Sequence, residues 1–193
     1  NMTIYNDSSP QWITGKLNNA FNFRGKDTTL DSPFANTSFN ALNGLTTGSF
    51  SFWINLTSLP DDANCNFPPE CDSVISIFNT SQSDNNLNIF MTLNILNNLT
   101  VSLEIGNGTS WNGLETVTVQ AITLHNWHHI VVTKNGTNET IYINGNLSTS
   151  QTGSEASFPN VTELYLSNFI RYFHINASLD ELAIFNVTLS LDD

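Results

Sequence analysis

The run Ser49-Phe-Ser-Phe-Trp-Ile-Asn-Leu-Thr-Ser-Leu59 alternates with period two. Phe50, Phe52, Ile54 and Leu56 fall on one side of an extended chain, and Ser51, Trp53, Asn55 and Thr57 fall on the other. An apolar row backed by a polar row is what a half-buried strand requires. Comparable runs predict strands over residues 74–78, 87–93, 99–105, 116–122, 128–134, 140–144, 164–167 and 179–186. Turn signals separate them: Asn-Gly at 43–44, 107–108, 112–113, 135–136 and 144–145, and Leu-Pro-Asp-Asp at 59–62. No segment keeps a 3.6-residue apolar period for three turns. About ten short strands between polar turns predict an all-β, two-sheet antiparallel sandwich. With no repeat and no linker-like break in composition, residues 1–193 read as one domain, expected to be part of a longer polypeptide.

Charge and composition narrow the partners. There are 17 Asp+Glu against 5 Lys+Arg, for a net charge of -12. Nucleic acid and anionic membrane surfaces demand a basic face, so neither is expected as a partner. No run approaches the ~18–20 apolar residues of a membrane span, so insertion by this segment is not expected. The surface is instead covered by uncharged polar groups, with 29 Asn, 22 Thr and 20 Ser.

The asparagines carry a pattern. Chance would place Ser or Thr two residues after an Asn about six times. The chain has 13 such acceptors without an intervening Pro: Asn1, Asn6, Asn36, Asn55, Asn79, Asn98, Asn107, Asn135, Asn138, Asn146, Asn160, Asn176 and Asn186. Asn/Thr-rich turns create some by accident, but the excess predicts N-glycosylation and hence an extracellular, cell-surface or virion-surface location. Cys65 and Cys71 frame a loop stiffened by two prolines, and a local disulfide there is geometrically reachable. It would pin a loop more than it would hold up a fold, and a free thiol pair is the alternative. No second Cys pair exists to complete a zinc site.

Five segments, in order, resemble one family. They are Ala20-Phe-Asn-Phe-Arg-Gly-Lys-Asp27, Gly48-Ser-Phe-Ser-Phe-Trp-Ile54, Trp127-His-His-Ile-Val-Val-Thr-Lys134, Thr140-Ile-Tyr-Ile-Asn-Gly-Asn146 and Ala177-Ser-Leu-Asp-Glu-Leu-Ala-Ile-Phe-Asn-Val-Thr-Leu-Ser190. Together they are similar to the laminin-G-like, concanavalin-A-like jelly-roll domains, over Thr14 to Asp193. The hairpin turn reads as stretched, to Asn135-Gly-Thr-Asn-Glu139. The resemblance implies a jelly-roll sandwich, and a calcium ion held by Asp27 and Asp180, helped by Asp31. It also places Trp127, His128 and His129 in a packed hairpin. Metal binding by His125, His128 and His129 is not expected, because on a strand His128 and His129 face opposite ways.

Asp180 and Glu181 are adjacent on a strand and predict opposite-facing side chains, which rules out the paired carboxylates of glycoside hydrolysis. The domain is therefore not expected to be an enzyme. For sugar stacking, the candidates are Trp111 in one loop, and Phe169, Arg171 and Tyr172 in another. The sequon-free interval between Asn107 and Asn135 makes the Trp127 side of the sandwich the candidate contact surface. The expected function is a non-catalytic, N-glycosylated, lectin-like adhesion module recognising a glycan or a surface protein. The alternative is a self-assembling structural subunit or decoration of a filament, surface layer or virion.

Overall fold

A computed structural model describes residues 3–5, 12–24, 34–59, 71–78, 89–96, 98–104, 115–153, 157–158, 160–167 and 175–190. Fourteen strands are present among them: β1 (Thr3–Tyr5), β2 (Trp12–Thr14), β3 (Asn19–Arg24), β4 (Phe34–Ser38), β5 (Thr47–Leu56), β6 (Cys71–Phe78), β7 (Ile89–Leu96), β8 (Val101–Glu104), β9 (Glu115–Val117), β10 (Trp127–Asn135), β11 (Asn138–Ile143), β12 (Asn146–Thr152), β13 (Glu163–Leu166) and β14 (Asn176–Phe185). They form two seven-stranded antiparallel sheets, ordered β1-β4-β13-β6-β7-β8-β9 and β12-β11-β10-β5-β14-β3-β2. No helix among the described residues is long and apolar enough to cross a membrane.

The core lies between the sheets. β5 sits at the centre of the second sheet and turns Phe50, Phe52, Ile54 and Leu56 inward, each at most 1% exposed. Ile130 and Val132 of β10 lie opposite Phe52 and Phe50. From the first sheet, Val74, Ile75, Ile95, Val101, Leu103, Leu164 and Leu166 join the same cluster. Two facing apolar rows thus bury each other, as a sandwich must.

Five strands, β1, β2, β3, β4 and β12, escape the period-two reading, and β12 shows why. Its sequence Asn-Leu-Ser-Thr-Ser-Gln-Thr is polar on both faces, and it lies at a sheet edge where neither face joins the core. It is fixed instead by the turn before it, where Asn144 and Gly145 both take positive φ (52° and 76°), as a type I′ turn requires. β9 is shorter than expected. After Val117 the Thr118 N–H still donates to Val101 O (2.9 Å), but the Thr118 hydroxyl accepts the Val101 N–H (2.9 Å) and donates to Gln120 O (2.9 Å), so a side chain replaces one of the two bonds of the next rung.

The β10–β11 turn is tight, not stretched. Asn135 pairs with Asn138 across a two-residue connection, with Gly136 at φ 57°. The expectation treated strand residues as loop because the sequons fill the strand ends with asparagine.

Next to this turn lies a buried ion pair. Lys134 continues the inward row of Ile130 and Val132, and it sits opposite Glu139, each 1% exposed. The Nζ lies 4.0 Å from Glu139 Oε1, donates to Gly136 O at 2.7 Å, and lies 6.0 Å from the Phe158 ring centroid. Glycines make the room: a Cβ on Gly48 would come 2.7 Å from Phe158, and one on Gly153 would run into the Glu139 carboxylate. Removing one partner of such a pair strands a buried charge, whereas removing both does not. Glu139→Leu should therefore lower unfolding free energy by about 3–5 kcal/mol, and Lys134→Met/Glu139→Leu should recover most of it, in urea titrations.

Candidate ligand-binding face

The same alternation that sends the β5 phenylalanines inward sends Ser51, Trp53 and Asn55 to the outer face of the second sheet. In register beside them stand Val131, His129 and Trp127 of β10, and Tyr142 of β11 lies opposite Val131. Three rows result: Tyr142–Val131–Ser51, His129–Trp53 and Trp127–Asn55. They place one His and three aromatic residues among small polar groups, and all four rings are half-buried.

Trp53 is the best-braced of these. The His129 ring stacks on it at 4.9 Å and 27°, while His129 Nε2 and Ser51 Oγ are 2.8 Å apart. Lys16 Nζ lies 4.9 Å from the Trp53 centroid. A bulge in β14 explains why Lys16 is there. Asp180 opposes Trp53, but Ala183 opposes Ser51, so Glu181 and Leu182 together face Phe52, with Glu181 at φ 52°. The extra residue restores the inward phase for Ile184, opposite Phe50, and releases Glu181 to solvent. Asp180, 5% exposed, accepts the Leu17 N–H at 3.0 Å, and Asn18 Nδ2 reaches Glu181 Oε1 at 3.4 Å. Gly15 closes this turn by donating to Asn18 O at 2.8 Å; a Cβ on it would collide with Asp180 Oδ2. The turn anchored in this way carries Lys16 over Trp53.

Asp180 and Glu181 therefore meet one turn and do not sit across the sheet from each other, because the bulge breaks the alternation the sequence implied. A calcium site takes about six to eight oxygens. Asp180 offers one nearly buried carboxylate, which accepts the backbone N–H of the turn that covers it. Among the described residues no three His, Cys, Asp or Glu converge. Asp27 and Asp31 lie outside the described residues, as do Trp111, Phe169, Arg171, Tyr172, Cys65 and the sequons at Asn1, Asn6, Asn79 and Asn107. Cys71 opens β6.

The histidines divide as their strand positions dictate. His129 faces outward, and His128 turns inward opposite Ile54. Asn144 touches both, accepting the His129 N–H at Oδ1 (2.9 Å) and placing its Nδ2 3.1 Å from His128 Nδ1. Thr123 closes the other side of His128 through its N–H (3.1 Å) and hydroxyl (3.0 Å) at Nε2. His125 is exposed, at positive φ, and donates its N–H to Leu56 O.

Nine of the thirteen sequon asparagines are described, and none is buried. Around the outer face they occupy the margins. Asn135, Asn138 and Asn186 lie at one end of the central strands, Asn55 and Asn176 at the other, and Asn146 beyond the β11–β12 turn. Of the three rows, only Trp127–Asn55 carries a sequon. Sequence reading reached this side through Trp127 but missed Trp53, Tyr142 and Lys16. The signal available for Trp53 and Tyr142 was their phase opposite the buried rows.

A family model described as the concanavalin A-like lectin/glucanases superfamily, laminin G type, matches residues 24–193. No curated protein sequence matches the chain. Domain 4 of AbnA, an extracellular arabinanase from Geobacillus stearothermophilus solved with arabinotriose, is 17% identical with a TM-score of 0.71, covering 99% of this chain and 84% of that one. A botulinum neurotoxin type C structure, from work on cell entry through two ganglioside molecules, is 16% identical with a TM-score of 0.68. The binding domain of Paraclostridial Mosquitocidal Protein 1 is 17% identical with a TM-score of 0.70. Both cover all of this chain, which spans less than half the length of either.

Burial lowers the pKa of both His128 and His129. Because the folded state then binds protons less readily than the unfolded one, their contribution to stability is complete above about pH 6.5 and declines as pH falls below it. The melting temperature should drop from pH 7 toward pH 5.5, and a His128→Asn/His129→Phe variant should flatten that part of the curve in calorimetry.

Proposed function

The chain belongs to the concanavalin A-like lectin/glucanases superfamily, and from that premise we propose that it is a non-catalytic, N-glycosylated, extracellular lectin-like module whose ligand face is the outer surface of the second sheet. The observation that carries the reading is the aromatic row set Trp53, His129, Trp127 and Tyr142, held on rigid strands and framed by sequons at its margins. Half-buried rings beside Ser, Asn and a Lys offer a flat apolar surface and hydrogen-bonding groups together, which is what a pyranose presents in return. Placement on strands fixes the rings before ligand arrives, so little ordering entropy opposes binding.

A binding role agrees with the chemistry of the carboxylates. Glycoside hydrolysis uses two carboxyl groups flanking one bond, and Asp180 is buried under a turn with its oxygen committed to Leu17 N–H. Structural relatives include a domain solved with arabinotriose and toxin binding domains, so an oligosaccharide is the partner class tested first. The second reading, a self-assembling subunit, draws on the exposed Trp12 and Leu17 (both 61%) beside Ile13 at the β2 edge.

A glycan array probed with the natively glycosylated protein should show binding to one sugar class. Tyr142→Ala and Trp53→Ala should weaken it about tenfold, equivalent to ~1.4 kcal/mol, while Trp12→Ala leaves it unchanged. A parallel array in chelator reads whether calcium takes part. An array that stays silent in both arms removes the lectin reading and favours assembly.

A further inference from the structure

Asn55 is the last outward-facing residue of β5. Its side chain leaves the outer face of β5, between Ile54 and Leu56, which are both buried in the core. Across the ladder on one side is Ser178, a short residue tied to Asn22 Oδ1 at 3.2 Å. On the other side, directly in register, is Trp127. Cross-strand neighbours of this kind have Cβ atoms about 4.5–5.5 Å apart. The other described sequons around this face also sit at turns and strand ends: Asn135 and Asn138 flank the β10–β11 turn, Asn146 follows the next turn, Asn176 opens β14 and Asn186 follows it.

We propose that the glycan on Asn55 folds back onto the Trp127 ring and caps one end of the outer face. The first sugar is attached at the Asn55 amide nitrogen, beside a half-buried indole, and a pyranose ring covers an aromatic face favourably. Ser178 leaves no comparable surface on the opposite side, so the glycan leans toward β10. The sequon hydroxyl residue, Thr57, is exposed and its backbone N–H donates to Asn176 O at 2.9 Å. Its side chain is therefore expendable for the fold. The Asn55 glycan acts as a resident ligand in cis, and its presence controls how much of the face an external glycan reaches. This gating role rests on the ligand-face reading above; the contact with Trp127 does not.

Peptide mapping of the native glycoprotein first reads occupancy at Asn55. Timed endoglycosidase digestion then compares Asn55 with Asn135 and Asn138. Release at Asn55 should be about fivefold slower, the scale of one aromatic stacking contact. Trp127→Ala should bring it to the hairpin rate, and Trp127→Phe, which keeps a ring, should retain most of the protection. If Trp127→Ala fails to fold, Thr57→Ala supplies the reading, because loss of the glycan should red-shift and increase iodide quenching of tryptophan emission. An unoccupied Asn55, equal release rates in the native protein, protection untouched by Trp127→Ala, or unchanged emission in Thr57→Ala overturns the contact. On the array, stronger binding by Thr57→Ala than by the native protein supports gating. Slow release at Asn55 with no array binding by either protein keeps the contact and overturns gating together with the ligand-face reading.

Discussion

The register that sets Phe52 opposite Ile130 holds the rest of the molecule in place. Strand side chains alternate, so a slip of one residue between β5 and β10 would turn every inward phenylalanine out and bring Trp53 and Asn55 in. The cost of exposing Phe50, Phe52, Ile54 and Leu56 forbids that slip. One constraint therefore does two things. It builds the core, and it lines up His129 with Trp53 and Trp127 with Asn55 on the outside.

Local deviations from regular geometry then finish the face. Without the β14 bulge, Glu181 would take the inward position and Ile184 would point outward. With it, the core phase recovers, and Asp180 is left opposite Trp53, able to anchor the turn that carries Lys16. At the far end of β10 the buried Lys134–Glu139 pair fixes the tight turn between the Asn135 and Asn138 sequons. A buried pair of this kind adds little net stability, because desolvation offsets most of the attraction, yet it cannot lose one partner cheaply.

Much of this was legible in the sequence. Period two found β5, β10, β11 and β14, and the resemblance of five ordered segments gave the sandwich. Strands without an apolar face stayed hidden: β12 is polar on both sides and is fixed by the Asn144–Gly145 turn. The tight hairpin was hidden because Asn135 and Asn138, read as turn residues, are paired strand residues. For the site, alternation revealed which side chains share a face but not which strands are neighbours. Trp127 was seen on the favoured side, yet its neighbours Trp53 and Tyr142 became a set only when β5, β10 and β11 were laid side by side. The role of Asp180 was out of reach for the same reason: a bulge changes phase, and nothing in the run Leu-Asp-Glu-Leu announces it.

The central claim is that ligand meets the outer face of the second sheet. The four tryptophans, Trp12, Trp53, Trp111 and Trp127, are natural reporters, because each indole N–H gives its own NMR signal. The protein should be titrated with the oligosaccharide that binds best on the array, and the four signals followed. The account predicts that Trp53 shifts with saturation while Trp12 stays still; movement of Trp12 with Trp53 unmoved would contradict it.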